Sequence, residues 1–293
     1  MLAQRTNGVI VNADSAQVYA DLRLLSARPS EVEMGRVEHR LFGHRDGAQP
    51  YSAAQWAEDA RAVVAEVHGR GQLPILVGGT GLYLRTLLDG IAEVPPVRPD
   101  VRDEVRRASV AENHGRLAEL DREAAARLHP NDSQRIARAL EVVLSTGVPL
   151  RRWQEATAGG LRGRVSLFGH LTLGESHGDE AMDRRFRAMV DGGALEEVQA
   201  LLDRKLDPSL PVMRAIGVPE LAAFLRGDTS REQAIAAGQL ATRQYAKRQR
   251  TWFRNQRLGD FSQGTDQEAA LRCLLSGATR AGCSPTPTST LPR

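Results

Sequence analysis

Cysteine is scarce: Cys273 and Cys283, both close to the C-terminal end, are the only two in 293 residues. Neither their number nor their spacing makes a disulfide framework or a zinc site, so no covalent or metal staple is expected to hold this fold. No apolar run is long enough to span a bilayer, and no signal peptide opens the chain. A cytoplasmic protein without a membrane partner is expected. Internal repeats are absent, and so is a large charge of one sign. Lys and Arg total 39 against 36 Asp and Glu, a net charge of only +3. Nucleic-acid binding therefore has to be argued from where the cations cluster. What remains is an ordinary globular balance, 41% hydrophobic and 26% charged, in a chain long enough for one sizeable domain with a smaller insertion.

Gly8-Val9-Ile10-Val11-Asn12-Ala13-Asp14 reads as a short buried strand ending on an acid, and Leu73-Pro74-Ile75-Leu76-Val77 as a second, running into Gly78-Gly79-Thr80-Gly81. Between them Ser52–Gly69 has helical spacing, with Ala53, Trp56, Ala60, Val63, Val64 and Val67 on one face. Strand, helix, strand is a βαβ unit, which predicts an α/β fold with a parallel sheet flanked by helices. Leu82–Leu88 reads as the next helix, and Pro95, Pro96 and Pro99 then break the pattern. Helix follows helix to about Glu155 with no evident strand, before Val165–Leu173 returns as an apolar strand candidate and helices resume from about Glu180 to Arg257. This order predicts an α/β core at 1–97 and 160–262, a helical insertion at 98–159, and a Pro/Ser/Thr-rich disordered tail at 263–293.

The glycines around Thr80 let backbone amides approach an anion, with the partial positive charge of a helix N-terminus behind them; taken alone, these four residues favour a tight turn without a ligand. Asp14, at the carboxyl end of its strand, belongs in the same crevice, as a general base, as a Mg²⁺ ligand or as the cap of the next helix. In the run His129–Val142, Asn131 or Asp132 caps a helix whose Ile136, Leu140 and Val143 are buried, leaving Arg135 and Arg138 together on another face. Gln239–Arg257 contains no acid. Its Arg243, Lys247, Arg250, Arg254 and Arg257 fall at helical steps on one stripe, which suits a polyanion. Acids elsewhere in the fold are the alternative. Tyr245, Trp252 and Phe253, interleaved with these cations, are expected in the core.

Taken in order, these segments resemble the tRNA dimethylallyltransferase family. The matching runs are Asp14–Tyr19, Pro50-Tyr51-Ser52, Val77–Tyr83, His129–Val142, Met213–Gly217 and Thr242–Arg254, spread over nearly all of the chain to about residue 260. The resemblance implies a P-loop-type core with an insertion that clasps an anticodon stem-loop, acting as a monomer. It implies transfer of a dimethylallyl group from dimethylallyl diphosphate, with Mg²⁺ on the diphosphate, to the exocyclic amine of the adenosine beside the anticodon. The tRNAs implied are those reading codons that begin with U. By matched motif Asp14 is the base, Thr80 supports the bridging oxygen of the diphosphate with Gly78 and Gly79 beside it, and Arg214 neutralises the leaving group. Ser15, Ala16 and Gln17 border the flipped adenosine. Arg102, Gln134, Arg135, Ile136, Ala137, Arg138, Lys247, Arg248, Arg250 and Arg254 contact the tRNA.

Three departures stand against this pattern. No Gly-x-x-x-x-Gly-Lys-[Ser/Thr] occurs in the chain, and Met1–Arg5 matches the end of the helix after that loop, so the first strand and the phosphate-binding loop are expected to be missing. Leu25–Pro29 stands in place of Gly-Thr-Ala-Lys-Pro, and Val218-Pro219 follows Gly217. A start assigned too far downstream explains the first, and retention of Asp14, Thr80 and Arg214 favours it over a genuinely shortened protein. On that reading the 293-residue chain itself binds diphosphate poorly and is nearly inactive. The alternative is a non-catalytic RNA-binding protein. A small-molecule kinase using ATP on the same core leaves the basic stripe and the Asp14 run without a role.

Overall fold

The computed structural model describes residues 1–164, 168–171, 175–256 and 261–264. They form two compact units, one of Asp89–Arg162 and one of the remaining described residues.

In the larger unit α1 (Leu2–Arg5) leads into β1 (Gly8–Asn12), and after α2 (Glu31–Met34) come β2 (His39–Arg40), α3 (Ala53–Gly69) and β3 (Leu73–Val77). The sheet is parallel in the order β2-β1-β3, with β1 in the middle and Asn12 in register with Val77. Val9 and Val11 point at α3, where Val63 and Val67 cover them. The Ser52 side chain and Gln55 cap α3 reciprocally, which fixes its start at Ala53. Its buried face carries Trp56, Ala57, Ala60, Val63 and Val67, while Ala53 and Val64 sit at the margin. Trp56 is fully enclosed, donating its indole N–H to the Asn12 carbonyl at 2.9 Å and stacking on Tyr83 at 4.6 Å between centroids. Tyr83 belongs to α4 (Gly81–Asp89). β3 is less buried than its composition predicts, with Val77 50% exposed, because β1 is its only partner among the described residues.

The smaller unit contains β4 (Ile91–Ala92), α5 (Pro99–Arg107), α6 (Val110–Leu120), α7 (Arg122–Arg127), α8 (Ser133–Thr146), α9 (Leu150–Glu155) and β5 (Thr157–Ala158). Val101, Val105, Leu117, Ile136, Leu140 and Val143 form its core. β4 and β5 pair antiparallel at the two ends of the unit. Strands of two residues have no periodicity to read, so this stretch looked purely helical in sequence. Of the two candidate caps for α8 it is Asp132 that accepts from a backbone N–H, that of Arg135, and Gly147 closes the helix with φ +70°. His129 accepts from the Asn131 N–H through Nδ1, a turn contact.

The chain then returns to the larger unit with β6 (Phe168–Leu171), α10 (Glu175–Met189), α11 (Leu195–Asp203), α12 (Val218–Leu225), α13 (Arg231–Asn255) and β7 (Phe261–Gly264). β6 and β7 pair in parallel. Residues 165–167, 172–173 and 257 of the expected elements lie outside the described residues, as does the expected tail from 265 on. Its first two residues, 263 and 264, belong to β7.

Candidate active site at the carboxyl ends of the strands

β1 and β3 run parallel and end level with one another, so the segments that follow them meet. The Ala13 N–H donates to the Val77 carbonyl at 2.8 Å, and the Thr80 N–H donates to the Ala13 carbonyl at 3.2 Å. A Cβ on Gly78 would overlap the Ala13 carbonyl, so the close approach of the two segments requires glycine there. The fully buried Asn12 fixes the exit from β1: its Nδ2 donates to the carbonyls of Asp14 and Leu41, and its Oδ1 accepts from the Asp14 N–H. Thr80 Oγ1 accepts from the Ser15 N–H at 2.9 Å and donates to Ser15 Oγ at 3.2 Å, across 65 residues of sequence. Asp14 and Thr80 thus stand together, as the strand ends predict.

The Asp14 carboxylate accepts from the Ala16 N–H at 2.8 Å. Burial raises its pKa above the ordinary aspartate value, against the opposing pull of the Ala16 and Gln17 amides and of the Arg185 charge. Tyr83 and Tyr245 feel the Asp14 charge, and Tyr19 is buried five residues further along the chain. Burial raises the pKa of each, and the Asp14 charge adds to this at Tyr83 and Tyr245. Thr80 and Gln249 oppose the rise in the Tyr245 pKa, which places its hydroxyl near the site and not in the core where its pattern placed it. α13 therefore presses on the glycine turn. Gln249 donates to the Gly79 carbonyl at 3.0 Å, and a Cβ on Gly81 would overlap the Trp252 ring. Trp252 in turn meets Phe253 edge-on at 4.9 Å, and Phe253 is buried as expected.

The other expected residues divide. Gln17 donates to the carbonyls of Ser26 and Ala27 at 3.0 and 3.2 Å, while its own carbonyl accepts from the Gly43 N–H at 2.8 Å. Arg214 is exposed at the end of a 3₁₀ turn, near Asp207. Arg185, exposed on α10 and passed over by the sequence reading, bears on Asp14 only weakly, its charge being the smallest of the influences on that carboxyl. On α13 Lys247, Arg248 and Arg254 are exposed and Arg250 is half-buried. Arg243 is bonded by the Asp183 carboxylate on α10, so the stripe is balanced at that position by an acid 60 residues earlier. In the smaller unit Arg102, Gln134 and Arg135 are exposed. Burial lowers the Arg138 pKa, with the Glu141 charge opposing and Arg102 and Arg106 adding to the fall. Ile136 and Ala137 are enclosed in that unit's core, which removes their side chains from any contact with a ligand. Arg106 reaches Glu141, 1% exposed, at 2.7 Å, holding that buried carboxylate on the face that carries Arg138. Among the described residues no group of three or more His, Cys, Asp or Glu side chains is placed to hold a metal ion, and no helix is long and apolar enough to cross a membrane.

A carboxyl of raised pKa beside a hydroxyl at the carboxyl ends of a parallel sheet is an arrangement that suits a transferase, which needs a proton acceptor and an anchor for the departing group. Residues 17–256 match the family described as IPP transferase. The tRNA dimethylallyltransferases of Sphingopyxis alaskensis and Novosphingobium aromaticivorans are 59% and 60% identical over 253 and 256 residues. These alignments cover 85% and 87% of this chain and 82% and 91% of those proteins. A solved structure described as a eukaryotic dimethylallyltransferase acting on tRNA superposes with a TM-score of 0.80 at 25% identity, covering 98% of this chain and 76% of that one. The chain belongs to the IPP transferase family, and it is a prenyltransferase. The proteins just compared are named as transferases, so the non-catalytic alternative draws no support from them.

Proposed function

We propose that this enzyme transfers a dimethylallyl group from dimethylallyl diphosphate to the exocyclic amine of the adenosine next to the anticodon, in tRNAs reading codons that begin with U. The observation that carries the reading is the Asp14–Ser15–Thr80 junction, with the Arg185 charge bearing on it. The amine lone pair forms a bond to the allylic carbon, the carbon–oxygen bond to the diphosphate breaks, and the diphosphate leaves with that electron pair. Asp14 takes the amine proton. Thr80 stabilises the charge that develops on the bridging oxygen, with Arg214 or Arg185 as the cation that receives the leaving group. The tyrosines limit water around an allylic centre that carries positive character. Asp14, Ser15 and Thr80 would offer a Mg²⁺ one carboxylate and two hydroxyls, and its charge would favour departure of the diphosphate.

The relatives' action on tRNA, together with Lys247, Arg248 and Arg254 on one helix and Arg102, Arg135 and Arg138 on another unit, supports the acceptor. Labelled dimethylallyl diphosphate, enzyme purified from its native cells and an anticodon stem-loop test the reading directly. Label enters the stem-loop with a target adenosine. Incorporation that persists after that adenosine is replaced by purine riboside, which has no exocyclic amine, overturns the assignment. Arg248→Ala is expected to weaken stem-loop binding for all sequences alike and to lower the slope of log affinity against log salt by about 1. Fluorescence anisotropy over a salt series reads both, and an unchanged slope removes Arg248 from the RNA surface.

A further inference from the structure

Glu197 lies on α11, far in sequence from every motif, and it holds a segment of the site by its backbone. Its Oε1 accepts from the N–H groups of Arg23 and Leu24 at 2.5 and 2.9 Å, and its Oε2 accepts from the Leu25 N–H at 3.0 Å. Successive N–H groups converging on one point form an anion-binding concavity, and here the chain's own carboxylate fills it. A carboxylate offers enough lone pairs to take all three, and its charge shortens the bonds.

The segment so held is a tight turn. The Ala27 and Arg28 N–H groups return to the Leu24 and Arg23 carbonyls, the Ser26 hydroxyl returns to the Leu22 carbonyl, and Ala27 has φ +53°, a conformation a non-glycine residue adopts only when its surroundings impose it. The turn also rests on glycines. A Cβ on Gly217 would crowd Leu25 at 2.7 Å, and one on Gly193 would touch Leu24 at 3.5 Å. From its far side the Ser26 and Ala27 carbonyls bind the Gln17 amide, three residues beyond Asp14.

We propose that Glu197 is a positioning residue for prenyl transfer: by filling this backbone nest it fixes the 23–28 turn, and the turn's carbonyls set the orientation of Gln17 beside Asp14. The inference rests on the proposed place of Gln17 at the acceptor adenosine. Glu197 touches no reacting group, so its effect is on alignment, where a displacement on the order of 1 Å costs about 100-fold in rate.

The test is Glu197→Ala in the full chain, with Glu197→Gln as a variant of unchanged shape. Hydrogen exchange of the 23–25 amides is expected to quicken at least tenfold in Glu197→Ala. Turnover on the stem-loop falls on the order of 100-fold while KM for dimethylallyl diphosphate stays within threefold. Millimolar acetate or formate, entering the vacated nest, restores both; chloride at equal ionic strength does not. Glu197→Gln, which brings an NH₂ against N–H donors, shows the same losses in smaller degree and is not rescued. Undisturbed exchange, turnover within threefold of the parent, or lost turnover that carboxylates do not restore overturns the proposal. Should the parent enzyme itself fail to prenylate the stem-loop, the proposed function falls and the catalytic role of Glu197 with it. Exchange with and without acetate then still decides whether the nest exists.

Discussion

Asp14→Asn is expected to slow prenyl transfer by roughly 10³-fold while leaving the protein folded. Asparagine keeps an oxygen for the Ala16 N–H, so the turn after β1 persists, but it cannot accept a proton from the amine. The pH behaviour is a separate check. Because burial raises the Asp14 pKa, the parent's rate falls with acidification from a pH above the ordinary carboxylate range, and the residual rate of the variant lacks that limb. Stability moves the other way. A carboxyl whose folded pKa lies above its unfolded one favours the fold only when protonated: that contribution is complete below the unfolded pKa and is lost as pH rises through the folded one. At neutral pH the charge is a burden on the fold, so Asp14→Asn melts no lower than the parent. Single-turnover rates and melting curves measure both. A variant that transfers normally, or that loses activity because it melts early, refutes the base assignment.

The second effect is expected at Arg185. Arg185→Gln removes a positive charge whose field reaches Asp14, and because that arginine is exposed and its pull is the smallest acting on the carboxyl, the expected cost is about tenfold in turnover. Arg214→Gln serves as the comparison. Arg214 is exposed, as Arg185 is, and faces Asp207; a larger loss at Arg214 than at Arg185 assigns the leaving group to Arg214. Since Arg185 also opposes the rise in the Asp14 pKa, Arg185→Gln moves the acidic limb of the rate profile to still higher pH. A limb that stays in place removes Arg185 from the site.

What the sequence made legible was local. Asp14 and the Gly78–Gly81 turn each end an apolar run, and two parallel strands of matched length bring such ends together without further information. Capping residues such as Ser52 are equally local and place helix starts to within a residue. Arg185, Tyr245 and Glu197 carry no local signal. Each is one polar residue on an amphipathic helix, and its meaning comes from elements 160 or more residues earlier, as with Glu197 on the 23–25 amides. The basic stripe failed at Arg243 for the same reason: counting acids within α13 misses Asp183 on a neighbouring helix. Ile136 was carried along with its motif although its spacing already marked it as core, and Ala137, which no spacing singled out, is enclosed beside it.

α13 shows Lys247, Arg248 and Arg254 to solvent on one side and lays Gln249 and Trp252 on the glycine turn with the other. Both faces lie within two turns of one rod. Inserting a single residue upstream of them would swing every later side chain by about 100°, taking the exposed cations and the turn support out of place together. In this helix, then, length is a stricter inheritance than composition: individual cations can be exchanged over evolutionary time, but insertions and deletions between Tyr245 and Arg254 should be all but absent from working descendants.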